Sequence, residues 1–198
     1  MEPVFPSSGK TSGRGPASSD GSQKSLLTEL WEVIRTVGIA FIVLLLLNIY
    51  VFNLSVVKGQ SMEPTLEESE RLFVNKIIYD FRDPQPGEVV VLKDPSDGPD
   101  KKEYLVKRVI AGPGDIVEAR DRELYVNSIA LNEPYTDIRI EDADFGPVVL
   151  ESDEYFVMGD NRHAGRSKDS RYFGNVKKNQ ITGRAEFVFW PLTKIRGL

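Results

Sequence analysis

The stretch Tyr104-Leu105-Val106-Lys107-Arg108-Val109-Ile110 places two adjacent cations inside an otherwise apolar run. Its β-branched residues predict a β-strand, in which neighbouring side chains point to opposite faces. A lysine in such a strand usually extends its ammonium to solvent. If one face is buried, however, either Lys107 or Arg108 must point inward. Lys107 is the better inward candidate, because burial can remove its proton, whereas arginine does not deprotonate.

An upstream segment, Gly59-Gln60-Ser61-Met62-Glu63-Pro64-Thr65-Leu66, has the composition of a turn. Gly59 permits a positive φ, and Pro64 biases the preceding residue away from helix. A serine in such a turn can present its Oγ and leave its own N–H free for an oxyanion. A hydroxyl needs a base to act as a nucleophile at neutral pH, and a neutral Lys107 can be that base. By itself the segment also fits an ordinary turn.

A third polar segment follows a strand-like run. It comprises Met158-Gly159-Asp160-Asn161-Arg162 and, a few residues later, Ser167-Lys168-Asp169-Ser170-Arg171. Pairing of Asp169 with Arg171, and of Asp160 with Arg162, would support a structured loop. A solvated charged loop fits the same composition.

The amino-terminal part of the 198-residue chain differs from the rest. Residues 1–30 are predicted to be a disordered Ser/Gly-rich tail, and residues 31–54 a transmembrane helix. No charged residue occurs from Thr36 to Val57. At about 1.5 Å per residue this stretch reaches roughly 33 Å, enough to cross a bilayer core. A cleavable signal peptide and a buried helix of a soluble domain are the alternatives. Flanking charges do not decide the orientation.

Residues 55–198 are predicted to form an all-β domain, because short β-rich runs alternate with Gly/Pro turns. Antiparallel sheets are expected, arranged as a sandwich or around a partly open barrel-like core. The predicted strands are Arg71–Ile78, Glu88–Leu92, Tyr104–Ala111, Asp115–Glu118, Glu123–Val126, Glu154–Met158 and Glu186–Trp190.

Charge and composition exclude some functions. The net charge is −5, and the residues after Leu54 carry 26 acids against 21 bases, which disfavours nucleic-acid binding. One histidine and no cysteine disfavour a zinc site.

Together these segments resemble the boxes of the type I signal peptidases, membrane-bound Ser-Lys proteases of bacteria and plastids. The matching residues are Ser61-Met62-x-Pro64-Thr65-Leu66, Arg71-Leu72-x-Val74-x-Lys76, Lys107-Arg108-Val109-x-Ala111-x-Pro113-Gly114-Asp115, and Gly159-Asp160-Asn161-Arg162 with Ser167-x-Asp169-Ser170-Arg171. The resemblance implies Ser61 as nucleophile, Lys107 as general base and Ser167 as the serine that orients the lysine. It also implies an oxyanion hole that includes the Ser61 N–H, a structural pair of Asp169 and Arg171, and a second β region at about residues 115–153.

Two departures from the family pattern affect these roles. Gly59 stands where many Gram-negative members carry a serine that donates to the oxyanion hole. Four residues, instead of the usual two, separate Arg162 from Ser167, so either Ser167 or Gly165 could occupy the lysine-orienting position. We favour Ser167, because this alignment keeps the following Asp169 and Arg171 in register. A Ser61–His163 triad with Asp160 or Asp169 is chemically conceivable, but the resemblance places His163 in the excess loop.

The resemblance implies removal of signal peptides from exported preproteins, after small residues at −1 and −3, without a cofactor or metal. Met62, Leu66 and Val106 are candidate pocket walls. The enzyme would lie in the bacterial plasma membrane, or in a thylakoid membrane, with its catalytic domain on the trans side and lipid around its helix. A self-cleaving Ser-Lys repressor and a non-catalytic binder of exported proteins are the alternatives.

Overall fold

Helix α1 spans Leu26–Tyr50 in the computed structural model, which describes residues 26–198. Most of the predicted tail lies outside this range. The helix begins five residues before the predicted span of 31–54 and ends four residues before its end. It ends early because Phe52–Val56 forms a strand instead. Residues 28–50 are long and apolar enough to cross a membrane, and none of that window is buried. This exposure disfavours the core helix of a soluble domain.

Twelve strands and two further short helices follow α1. The strands are β1 Phe52–Val56, β2 Arg71–Asn75, β3 Val89–Lys93, β4 Tyr104–Ala111, β5 Ile116–Arg120, β6 Glu123–Val126, β7 Ile129–Ala130, β8 Phe145–Val149, β9 Glu154–Met158, β10 Val176–Lys177, β11 Ile181–Trp190 and β12 Arg196–Gly197; the α-helices are α2 Ile78–Phe81 and α3 Ser170–Phe173. Single 3₁₀ turns cover Lys178–Gln180 and Leu192–Lys194.

The strands form two antiparallel sheets. The larger sheet curls into a half barrel with the order β1-β2-β11-β3-β4-β9-β10, and β12 pairs with β11. The smaller sheet has the order β7-β6-β5-β8 and lies within the region predicted as a second β unit. The all-β fold with a partly open, barrel-like sheet is therefore confirmed.

Individual strands agree with the sequence prediction to different degrees. The predicted bounds of β4, β6 and β9 coincide with those observed. The predicted strand at 71–78 is too long, because Ile78–Phe81 turns into α2. The sequence does not indicate strand β8, because Gly146-Pro147 inside it resembles a turn. Strand β1 overlaps the end of the predicted helix, because the apolar run continues into it.

Strands β3 and β4 lie in the middle of the larger sheet, which is covered on both faces. Val89 and Val91 pack into one hydrophobic cluster, with Leu72 and Val188, whereas Val90 packs into a second, with Val157. A third cluster joins β4 and β9 to the smaller sheet. Strand β4 is therefore buried on both faces, and Lys107 and Arg108 both lie inside the protein.

Candidate active site

Ser61 and Lys107 meet in the structure. The Lys107 Nζ lies 2.6 Å from the Ser61 Oγ, within hydrogen-bond distance, and 3.0 Å from the Val106 carbonyl oxygen. The two residues are 46 positions apart in the sequence, so tertiary packing brings them together. The contact places an amine where it could accept the serine proton.

The environment of Lys107 favours the neutral amine. Its side chain is 1% exposed. Burial lowers the pKa of Lys107 from 10.5 to about 8, against an opposing effect of the Asp169 carboxylate. A group of this pKa is partly neutral at physiological pH, whereas an exposed lysine is almost entirely protonated.

The turn that carries Ser61 is held from a second loop by Asn161. The Asn161 N–H donates to the Ser61 carbonyl oxygen at 3.2 Å, and its side-chain amide donates to the Gln60 carbonyl oxygen at 2.9 Å. Among residues 26–198, the Ser61 N–H itself donates to no acceptor. It is therefore free for a ligand. Asn161 belongs to the quoted sequence boxes, but its role was not predicted.

Asp169 organises the loop behind the site, and its predicted pair with Arg171 is present. The Asp169 carboxylate accepts from the Arg171 Nη2 at 2.7 Å and from the Gly159 N–H at 3.1 Å. Burial would raise the pKa of Asp169, but the hydrogen bond and charge of Arg171 outweigh it and lower the pKa. Asp169 is therefore a buried anion that fixes the backbone at Gly159.

Ser167 lies beside Gly159, whereas Gly165 is exposed. A Cβ placed on Gly159 would lie 2.3 Å from the Ser167 Oγ and 2.2 Å from the Ser61 carbonyl oxygen, so only glycine permits this approach. The Ser167 Oγ is buried and has no hydrogen-bond partner at normal geometry, although it lies near enough to Asp169 to help lower that pKa. No hydrogen bond joins Ser167 to Lys107 in the described part of the chain.

The predicted pair of Asp160 with Arg162 is wrong. Asp160 instead accepts from Arg108, with Nη2 to Oδ2 at 2.6 Å and Nε to Oδ1 at 2.9 Å. Arg162 donates to Glu133, with its Nη1 2.8 Å from the Glu133 Oε2. The reason is that β4 is buried on both faces, so Arg108 needs a buried carboxylate and Asp160 is the one within reach.

Asp160 also connects this ion pair to the serine turn. The Thr65 hydroxyl donates to the Asp160 Oδ2 at 2.5 Å. Arg108 is 7% exposed, and its guanidinium lies 4.0 Å from the centre of the Tyr135 ring. Thr65 and Arg108 thus help to fix the turn that carries Ser61, a role that the sequence did not reveal.

His163 does not join a triad with Ser61. Its Nδ1 lies 3.2 Å from the Glu141 carboxylate and its Nε2 lies 3.7 Å from Asp137, both near the surface. The carboxylates that a triad would need, Asp160 and Asp169, are engaged by Arg108 and Arg171.

The three candidate pocket residues differ in exposure. Met62 and Leu66 are fully buried in the cluster that contains Val57 and Leu72, and partly exposed Val106 packs against them. Met62 and Leu66 therefore present almost no surface to solvent, and of the three candidates only Val106 is accessible.

An all-β domain in which a buried amine of lowered pKa contacts a serine hydroxyl has the chemistry of a serine hydrolase. The family model "Signal peptidase, peptidase S26" matches residues 30–190. The chain therefore belongs to the signal peptidase family, peptidase S26.

Two Bacillus relatives agree with this membership. Signal peptidase I P of Bacillus subtilis subsp. natto is 40% identical over 184 residues, covering 88% of this chain and 96% of the relative. Signal peptidase I of Bacillus licheniformis is 38% identical over 177 residues, covering 84% and 92%. A crystal structure of a signal peptidase I from Enterococcus faecalis V583 is 32% identical and covers 52% of this chain and 97% of that one, with a TM-score of 0.44.

Membership confirms the prediction of an enzyme of the serine peptidase class. The apolar helix α1 and the bacterial relatives together indicate a membrane-anchored protein.

Proposed function

We propose that this chain is a membrane-anchored endopeptidase that removes signal peptides, with Ser61 as nucleophile and Lys107 as general base. The observation that carries the proposal is the 2.6 Å contact between the Lys107 Nζ and the Ser61 Oγ. Burial of Lys107 strengthens the proposal, because burial lowers the pKa of this amine to about 8 and so supplies it in the neutral form. The names of the relatives, signal peptidase I, supply the substrate class.

The reaction begins when the Ser61 Oγ attacks the scissile carbonyl carbon and its proton passes to the Lys107 Nζ. The π electrons of the carbonyl move to its oxygen and form a tetrahedral oxyanion. The carbon–nitrogen bond then breaks, and the protonated lysine gives its proton to the leaving amine. Lys107 then takes a proton from a water molecule as the water oxygen attacks the acyl carbon. The bond from that carbon to the Ser61 Oγ breaks, and the lysine returns the proton to Ser61.

The Ser61 N–H is proposed as one donor to the oxyanion. It has no acceptor within the described residues, and the hydrogen bonds from Asn161 hold its turn in place. A donor that is already oriented before the reaction stabilises the developing charge at little cost of reorganisation.

Ser167 is proposed to orient the Lys107 amine. Its buried Oγ makes no hydrogen bond of normal geometry, and apart from its proximity to the Asp169 carboxylate the hydroxyl is available to the amine. The pairs of Asp169 with Arg171 and of Asp160 with Arg108 support the two loops on which this arrangement depends.

The proposed specificity is for small residues at −1 and −3. An extended substrate could add as a strand beside the segments 55–59 and 104–107, which precede Ser61 and contain Lys107. Alternate side chains would then enter shallow pockets over Val106, with Met62 and Leu66 beneath. The two buried side chains leave little depth, which favours alanine-sized residues.

Helix α1 is proposed as a single-pass anchor with the catalytic domain on the trans side of a bacterial plasma membrane or a thylakoid membrane. Exported chains emerge there, so anchoring raises their effective concentration near Ser61. Lipid is accordingly a partner of the apolar, exposed face of α1.

The test is cleavage of a preprotein by the full-length chain in detergent. Wild type should cut after the small residue at −1, whereas Ser61→Ala and Lys107→Ala should fall to background. His163→Ala is the matched control and should retain activity within about twofold, since surface substitutions away from a site have small effects. Undiminished cleavage by Ser61→Ala would refute the assigned nucleophile. Binding without any cleavage by wild type would favour a non-catalytic preprotein binder.

A further inference from the structure

A second lysine, Lys102, lies at the turn that precedes Ser61. Its Nζ is 3.9 Å from the position that a Cβ on Gly59 would occupy. Gly59 has a φ of +85°, which L-residues rarely adopt, so the space beside it is open to a side chain from another segment. The ammonium of Lys102 enters this space.

The position of Lys102 is fixed by a buried carboxylate. Its backbone N–H donates to the Asp94 Oδ2 at 2.9 Å, and the Asp94 side chain is fully buried. The same carboxylate accepts from Lys168 at 3.2 Å, beside Ser167, and from the Ser96 hydroxyl at 2.5 Å. Asp94 therefore ties the loop that carries Lys102 to the loop behind the site.

The ammonium itself is unpaired. Within residues 26–198 the Lys102 Nζ makes no hydrogen bond and no ion pair, whereas the neighbouring Lys101 lies 3.9 Å from Asp97. Glu68 approaches the same glycine, but its carboxylate accepts from the Gly59 N–H at 3.2 Å and forms no ion pair with Lys102. A cation beside Gly59, two residues before Ser61, is thus left without an ion-pair partner in the described residues.

We propose that the Lys102 ammonium is a further catalytic group, which stabilises the oxyanion formed when Ser61 attacks the scissile carbonyl. This inference rests on the proposed Ser61–Lys107 reaction and adds a donor to it. The negative charge develops on an oxygen bonded to the carbon that the Ser61 Oγ attacks, two residues from Gly59. An unpaired cation that already lies beside this turn attracts the oxygen most strongly once that charge has formed. It therefore stabilises the transition state more than the bound substrate.

The lowered pKa of Lys107 agrees with this position of Lys102. Burial is the largest effect on the pKa of Lys107, Asp169 opposes it, and the charge of Lys102 lowers the pKa further. The Asp160 and Arg171 side chains act in opposite directions and more weakly. The charge of Lys102 therefore acts on Lys107.

The test compares the full-length chain carrying Lys102→Met, Lys102→Arg or Lys101→Met on a peptide with alanine at −1 and −3. Measurements are made at about pH 9.5, where Lys107 is largely neutral in every variant. Lys102→Met should lower kcat about tenfold and change KM by no more than about twofold. This loss of kcat is smaller than that expected for a buried oxyanion donor, because Lys102 is exposed to solvent. Lys102→Arg keeps the cation and should retain most activity, and Lys101→Met should match wild type.

Three results would overturn the inference. A defect of Lys102→Met that is present at pH 7 but absent at about pH 9.5 would mean that Lys102 acts only through the pKa of Lys107. A raised KM with unchanged kcat would make Lys102 a substrate contact. Equal losses in Lys101→Met would show a general charge effect. Absence of turnover in wild type, or turnover by Ser61→Ala, would instead refute the proposed function, and the inference would fall with it.

Discussion

Replacing Lys107 with methionine removes a buried ionisable amine but keeps an unbranched side chain of similar length. The pKa of Lys107 falls from 10.5 in the unfolded chain to about 8 in the folded one. At 1.36 kcal/mol per unit, the buried ammonium opposes folding by about 3 kcal/mol. The methionine variant loses a contact with Ser61 worth about 1 kcal/mol. It should therefore be more stable than wild type by about 2 kcal/mol at pH 7.

The free energy of unfolding of wild type depends on pH through the same shift in the pKa of Lys107. Between about pH 8 and 10.5 the unfolded chain binds the Lys107 proton and the folded chain does not, so the unfolding free energy of wild type rises with pH. Below about pH 8 both states are protonated and the full penalty applies. The advantage of Lys107→Met should therefore be constant below about pH 8 and disappear as the pH approaches 10.5.

The assay is urea unfolding of the full-length chain in detergent, from pH 7 to 10, for wild type and Lys107→Met. Lys101→Met removes an exposed lysine and should show no such pH-dependent difference. In parallel, kcat/KM of wild type should rise with pH to a midpoint near 8, the pKa of the free enzyme's base. The reasoning is refuted if Lys107→Met is no more stable than wild type at pH 7, or if its advantage does not shrink at high pH.

Two further substitutions test the loops around the site. Gly159→Ala should reduce kcat/KM by at least about 100-fold, because the new Cβ would lie 2.2 Å from the Ser61 carbonyl oxygen and must displace the serine turn. Gly197→Ala is the control, because a Cβ there would have no atom within 4 Å. Equal activity of the two variants would contradict the predicted clash. Arg108→Met should lower the unfolding free energy by about 3–5 kcal/mol in urea unfolding, because it leaves the fully buried Asp160 carboxylate without its cation. Arg139→Met breaks an exposed pair with Glu123 and should cost less than about 1 kcal/mol, so similar losses in the two variants would argue against the burial effect.

Much of the fold was predictable because its strands have strong local patterns. The run at 104–111 is β-branched and bounded by turn residues, and its predicted bounds are those observed. Strands β1 and β8 were not predictable for local reasons. The first continues an apolar helix without a break, and the second contains Gly146-Pro147. Their pairing with β2 and β5 outweighs these local signals.

The candidate site was predictable as a set of residues but not as a set of partners. The sequence suggested Ser61, Lys107 and the pair of Asp169 with Arg171, and the structure brings the first two within 2.6 Å of each other. It also suggested a partner for Asp160 two residues away, whereas the observed partner is Arg108, 52 residues away. Sequence proximity is a poor guide here, because a buried arginine takes whichever buried carboxylate the packing offers.

Three features of the chain can be identified from its residues alone: a hydroxyl in a turn, an amine in an apolar strand, and a charge-free stretch of membrane-crossing length at 36–57. These follow from local composition and periodicity. Tertiary structure alone decided that β4 is covered on both faces, that Lys107 is desolvated, and that Lys102 lies beside Gly59. Desolvation and charge pairing depend on atoms from distant segments, so the pKa of the amine and its contact with Ser61 arise only when the sheets pack.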